Sequence, residues 1–158
     1  MFPLATHNLD RIDRKILKVL QREGRITTTD LADKVGLSTN ATSERFKRLV
    51  KDGLITSFSA TLSPQKIGRG LLVFVEIKLD RTSPEIFDAF RRAVERAEDI
   101  LECHMVAGGF DYLIKSRVSD MDAYRRFLSD VVLALPGVRE THTYAVMEEI
   151  KDTHVLPV

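Results

Sequence analysis

The chain has 158 residues, enough for one ordinary domain or two small ones, with 44% hydrophobic and 30% charged residues and no low-complexity tract. No apolar run approaches the roughly 20 residues of a membrane span. The start, Met1–Asn8, lacks the basic and apolar regions of a signal peptide, and one cysteine, Cys103, excludes an intramolecular disulfide framework. A cytoplasmic protein with no membrane segment is expected.

The net charge of +1 is unevenly spread. Residues 1–63 carry eleven Lys/Arg against seven Asp/Glu, and residues 64–158 carry thirteen against sixteen. A basic first part beside an acidic second part points to a polyanion meeting the first part alone.

In chain order, Asp10 precedes a helix whose stripe is Leu9, Ile12, Ile16, Leu17 and Leu20, halted by Gly24. Thr27 caps a second helix, with Asp30 in the capping-box position and Leu31, Ala32 and Val35 inward. Gly36 supplies a left-handed end, and Ser38 caps a third helix with Thr42, Phe46, Leu49 and Val50 inward, ending at Gly53. Two short helices joined so tightly must cross, as in a helix-turn-helix over about residues 28–47. The third helix then offers Ser38, Thr39, Asn40 and Ser43 to base edges, and Arg45, Lys47 and Arg48, followed by Lys51, to phosphates of double-stranded DNA. A plain three-helix bundle with a solvated basic face has the same pattern.

Leu54–Leu62 reads as a short extended segment or hairpin, and Ser63-Pro64 with Gly68-Arg69-Gly70 marks a hinge. Beyond it strands and helices alternate. Leu71–Leu79 is a strand with Val73, Val75, Ile77 and Leu79 on one face. Ser83-Pro84 opens a helix with Ile86, Phe87, Phe90, Val94 and Ala97 inward. Ile100–Ala107 and Phe110–Val118 are strands joined by the Gly108-Gly109 turn. Ser119 opens a helix with Tyr124, Phe127, Leu128, Val131 and Leu135 inward, and Val138–Met147 is the last strand. The fold class is therefore α+β: a winged helix-turn-helix domain with linker over 9–70, then a ferredoxin-like β-α-β-β-α-β domain over 71–150. With both helices on one face of the sheet, the other face is expected to be apolar and to pair with a second copy.

The chain resembles the leucine-responsive regulatory protein (Lrp/AsnC) family along nearly its whole length. The segments that carry the likeness are Leu9–Leu17, Gly24–Ile26, Val35–Ser38, Glu44–Leu49, Gly53–Ile55, Leu72–Ile77, Glu102–Val118, Leu135–Val138 and Thr143–Glu149. The resemblance implies an amino-acid-responsive DNA-binding regulator of amino-acid uptake or breakdown genes. It also implies a homodimer that assembles further, often to an octamer. Leucine and proline are the effector candidates, on the resemblance alone. The effector position it implies is Val106, Gly108, Gly109, Phe110 and Asp111, with Met121, Tyr144 and Val146 nearby. A Gly-Gly turn can expose backbone N–H groups to a carboxylate, and Asp111 can receive an ammonium group. A bare hairpin turn and a local cap explain the same residues. Thr39–Ser43 is more polar and smaller than the family's usual recognition helix, which leaves the operator open.

An enzyme is not expected, and no cofactor beyond the effector. His7, His104, His142 and His154 lack ligand spacing, although His104 and His142 can be neighbours across the sheet. Cys103 and His104, adjacent on a strand, point to opposite faces. No phosphate-binding glycine motif is present. An effector-independent architectural DNA-binding protein and, behind it, a small ferredoxin-like enzyme are the alternatives.

Overall fold

The computed structural model describes residues 8–158, so most of the start examined for a leader lies outside the described residues. The chain divides into two compact units. One is built from residues up to Thr61 together with Lys151–Val158, and the other from Leu62–Ile150.

The first unit holds α1 (Arg11–Leu20), α2 (Thr28–Val35) and α3 (Thr39–Lys51). Each begins on an oxygen-bearing cap. Asp10 accepts from the Ile12 and Asp13 amides, Thr27 from Asp30, and Ser38 from Ala41. The Asp30 carboxylate meets the Thr27 hydroxyl at 2.7 Å, closing the expected capping box through side chains. Gly36 ends α2 at φ 77°, a conformation that side chains resist, and this makes the turn into α3 tight. Ile16, Leu17, Leu31, Val35 and Leu49 form the core. Val50, expected inward, lies exposed at the edge of the stripe. Residues 56–63 have no ladder partner among the described residues, so the wing is an extended segment and not a hairpin. Phe58 from it sits 6.0 Å from the Phe46 ring.

Lys151–Val158, which has no regular structure, completes this unit. Val158 packs against the helical core, while Gln21 of α1 donates to the Leu156 carbonyl at 3.1 Å and accepts from its amide at 2.6 Å. Removing residues 151–158 is expected to destabilise the helical unit by about 1–2 kcal/mol, from one partly buried valine and two exposed hydrogen bonds. Gln21→Ala should cost about 1 kcal/mol or less. Urea unfolding of both variants checks this, and an unmoved midpoint after truncation would show that the segment adds nothing.

The second unit holds β1 (Leu71–Leu79), α4 (Pro84–Arg96), β2 (Ile100–Met105), β3 (Tyr112–Val118), α5 (Met121–Phe127), a π turn over Leu128–Val132, and β4 (Val138–Ala145). The sheet is antiparallel in the order β2-β3-β1-β4, the ferredoxin-like arrangement. Strand alternation sends Val73, Val75, Ile77, Leu79, Tyr112 and Ile114 to one face, where Phe90 of α4 and Tyr124 and Phe127 of α5 cover them. Asp120, one residue beyond Ser119, caps α5. The helix expected to run regularly to Leu135 widens instead, with the Leu133 amide bonding the Leu128 carbonyl. That wide turn rotates the stripe, burying Val132 fully and leaving Val131 only partly covered. At Gly137, φ is 77° and an added Cβ would stand 2.8 Å from Ile86 Cγ2, so the turn into β4 requires glycine.

The other face of the sheet corrects an expectation. Leu72, Phe74 and Leu113 lie on it, but so do charged residues held in pairs. Lys115 bonds Glu102 at 2.8 Å, Arg117 bonds Glu149 at 2.9 Å, and the Tyr144 hydroxyl donates to Glu76 at 3.1 Å. The Lys115 ammonium holds the Glu102 carboxyl below its usual range, with His104 adding to the effect. The face is a patterned, ion-paired surface rather than an apolar one.

Candidate nucleic-acid interface and effector site

Helical spacing divides α3 into an inner stripe, of which Thr42 and Leu49 are buried, and an outer face bearing Asn40, Glu44, Lys47 and Lys51, all exposed. Thr39 is exposed beside the helix start, and Ser43 flanks the face half-buried. Short polar residues in the first turn with cations behind them match a helix that enters the major groove by its N-terminal end. Ser38 has a structural task as the cap, its hydroxyl accepting at 3.3 Å from Ala41.

Arg45 and Arg48 stand differently from the phosphate ligands expected of them. Arg45 Nη1 bonds Asp10 Oδ2 at 2.6 Å and Asp13 Oδ1 at 2.8 Å. Arg48 Nη2 bonds both Asp13 oxygens at 2.7 Å. The Asp10 and Asp13 carboxylates raise the Arg45 pKa above its ordinary value. Lys47 is left as an outward cation, with an exposed Glu44 partner at 3.3 Å that gives way readily to phosphate. Sequence reasoning places Glu44 on the outward face of the third helix but passes over Asp13. Asp13 sits three residues after Asp10 on the α1 stripe, a position for a carboxylate that calls for a cationic partner.

In the sheet unit the β2–β3 connection is pinned by Asp111. Its amide donates to the Ile77 carbonyl at 2.9 Å, its carbonyl accepts from Val106 at 3.0 Å, and its Oδ2 accepts from the buried Leu79 amide at 2.7 Å. Asp111 therefore shapes the loop whatever else it binds. Gly108 and Gly109 are exposed, with open space where a Cβ would stand.

The expected effector residues fall into two groups. Val106, Gly108, Gly109, Phe110 and Asp111 lie where β3 begins and β1 ends, whereas Met121 and Val146 lie where β3 ends and β1 begins. The length of β3, about 20 Å at 3.3 Å per residue, separates them within one chain. Tyr144, opposite Phe74, lies between and reaches toward the first group through Glu76. A hollow of about 200 Å³ beside Gly109 and Phe110 is lined by Glu76, Lys78, Glu140 and His142. Sequence reasoning passed over Glu76, Lys78 and Glu140 and weighed His142 only as a neighbour of His104, although strand alternation places all four on the face away from the core.

His104 on β2 and His142 on β4 lie on opposite edge strands and are not neighbours, so no pair forms. Cys103 faces the helices, and burial pushes its thiol up to about 11, which leaves little thiolate at neutral pH. No His/Cys/Asp/Glu group suited to a metal occurs among the described residues. None of their helices is long and apolar enough to cross a membrane.

Residues 9–56 match a model described as winged helix-turn-helix DNA-binding, and residues 72–156 match the Lrp/AsnC ligand binding domain. The chain belongs to the Lrp/AsnC family. The leucine-responsive regulatory proteins of Escherichia coli K12 and Salmonella typhimurium are each 50% identical to it over 151 residues, covering 96% of this chain and 92% of theirs. Among solved structures, a transcriptional regulator of Neisseria meningitidis in complex with L-Met superposes with a TM-score of 0.90 at 34% identity, covering 94% of this chain and 96% of that one. An AsnC family regulator from Agrobacterium tumefaciens gives 0.90 at 35% identity, covering 94% and 97%. This Lrp/AsnC chain is thus a DNA-binding transcriptional regulator responsive to amino acids, and not an enzyme.

Proposed function

We propose that the chain reads double-stranded DNA in the cytoplasm as a homodimer that assembles further, to an octamer, with an amino acid as the effector that shifts assembly and DNA affinity. The outward, polar first turn of a properly capped α3 carries the DNA-reading half of this proposal. Thr39, Asn40 and Ser43 contact bases, Lys47 and Lys51 contact phosphates, and Ser38 orients the helix.

The effector half rests on the hollow beside Gly109 and Phe110 and on the split of the candidate residues. A zwitterion needs an acceptor for its ammonium group and donors for its carboxylate. Glu76 and Glu140 supply the first, and Lys78 with the exposed glycine amides supplies the second. A ligand that touches both the Gly108–Asp111 loop and the Met121 and Val146 end requires two copies of the chain. Binding between copies is how a small molecule biases assembly, since it stabilises only the state that completes its site. The E. coli relative is named leucine-responsive and the N. meningitidis neighbour holds L-Met. An α-amino acid with an aliphatic or thioether side chain is therefore the proposed effector class, with proline a further candidate.

The test is a mobility-shift titration on the chain's own upstream DNA with each amino acid, run beside light scattering. One or a few apolar amino acids are expected to shift DNA affinity and particle mass together. DNA binding that no amino acid alters would leave an architectural protein instead.

A further inference from the structure

Asp13 is 3% exposed, in a unit whose other carboxylates lie on the surface. It accepts from two arginines of α3, both through Oδ1, with Arg48 also reaching Oδ2. The Arg45 side chain is 29% exposed and that of Arg48 51%, so an arginine released here would face solvent and any polyanion in it. Asp10, which shares Arg45, is itself committed to capping α1. Two arginines and two carboxylates thus close a network between α1 and α3, at the positive end of the α1 dipole, where carboxylates are favoured.

Such a network does two things for a reading helix. It fixes the rotation of α3 about its own axis, hence the direction of Asn40, Ser43 and Lys47, through directional charge-assisted bonds at two successive turns. It also neutralises two guanidinium groups that would otherwise add sequence-blind phosphate attraction. We propose that Asp13 is a positioning residue for DNA reading, a clamp that orients α3 through Arg45 and Arg48 and withholds both arginines from the phosphate backbone.

The experiment measures the affinity of the full chain for two duplexes across a salt series. One duplex is selected from a random pool by the full-length chain, and the other is scrambled at equal length and composition. Asp13→Asn keeps the shape and removes the charge that holds the arginines. Its affinity for the scrambled duplex should rise, with the slope of log K against log salt steeper by about 1–2, at roughly 0.9 per phosphate gained. Its preference for the selected duplex should fall by tenfold or more. Parallel losses on both duplexes with unchanged slopes would mean that Asp13 only stabilises the fold, and would overturn the proposal.

Arg48→Gln decides the matter independently, even if Asp13→Asn fails to fold. With Arg48 withheld from phosphate in the native chain, the variant should keep the native salt slope. A slope shallower by about one would show that Arg48 meets phosphate and that no clamp exists. A native chain that prefers no duplex would overturn the reading function on which the clamp rests, a result distinct from the others.

Discussion

Phe90→Ala is expected to destabilise the sheet unit by about 3–5 kcal/mol and to leave the helical unit nearly untouched. Phe90 has no exposed surface and stacks on Tyr112 with ring centroids 4.3 Å apart, while Phe87 meets the same ring edge-on at 6.3 Å. Removing the ring deletes a large buried area and strands Tyr112 beside a cavity, and stacked pairs add about 0.5–1.5 kcal/mol beyond area. Against a typical domain stability of roughly 5–15 kcal/mol, the loss approaches unfolding. Urea unfolding followed by circular dichroism should show one transition displaced and the helical one in place. If both move together, the units unfold as one cooperative body and their separation into two is wrong for energetics.

Asp111→Ala carries the second large effect. Its Oδ2 is the acceptor for the Leu79 amide, and Leu79 is buried, so truncation leaves a donor without a partner at a cost of about 1–3 kcal/mol. The β2–β3 loop should lose its shape and effector affinity should fall tenfold or more, each 1.4 kcal/mol being one decade. Asp111→Asn separates the two roles, because its amide oxygen still accepts from Leu79 while its charge is gone. Calorimetry with the active amino acid should find affinity largely kept in the Asn variant if Asp111 only shapes the loop, and lost in both variants if the carboxylate itself receives the ammonium group. Basal DNA affinity is expected to hold in both. Loss of it in the Asn variant would contradict a role confined to the sensor unit.

Much of this fold was legible because local chemistry and global packing agree. Asp10, Thr27 and Ser38 are cap residues by type and caps in fact, and Gly36 takes the left-handed turn that its position demands. The alternation of Val73, Val75, Ile77 and Leu79 likewise announces a strand with one buried face. Three features escaped. The π turn after Phe127 depends on packing that a regular 3.6-residue stripe does not encode. The pairing of Arg45 and Arg48 with Asp13 spans more than thirty positions, and a basic helix face looks the same whether its cations are free or taken. The division of the effector residues between two ends of a sheet follows from strand register, which neighbouring residues do not reveal. The candidate DNA face was therefore partly legible in residue type but not in charge state. The candidate effector position rests on a family likeness, and its geometry was not legible in the sequence.

The packing of Val158 against the helical core, with the Leu156 backbone bonded to Gln21 of α1, also orders events on the ribosome. Helices α1 to α3 emerge first, yet the segment whose Val158 packs against their core is made only after the whole sheet unit of residues 62–150. At roughly 5–20 residues per second, the interval is on the order of 5–20 s. During it the helical core lacks the partial cover that Val158 gives it. Synthesis thus adds the last piece of the helical unit only after every strand of the sheet unit has been made.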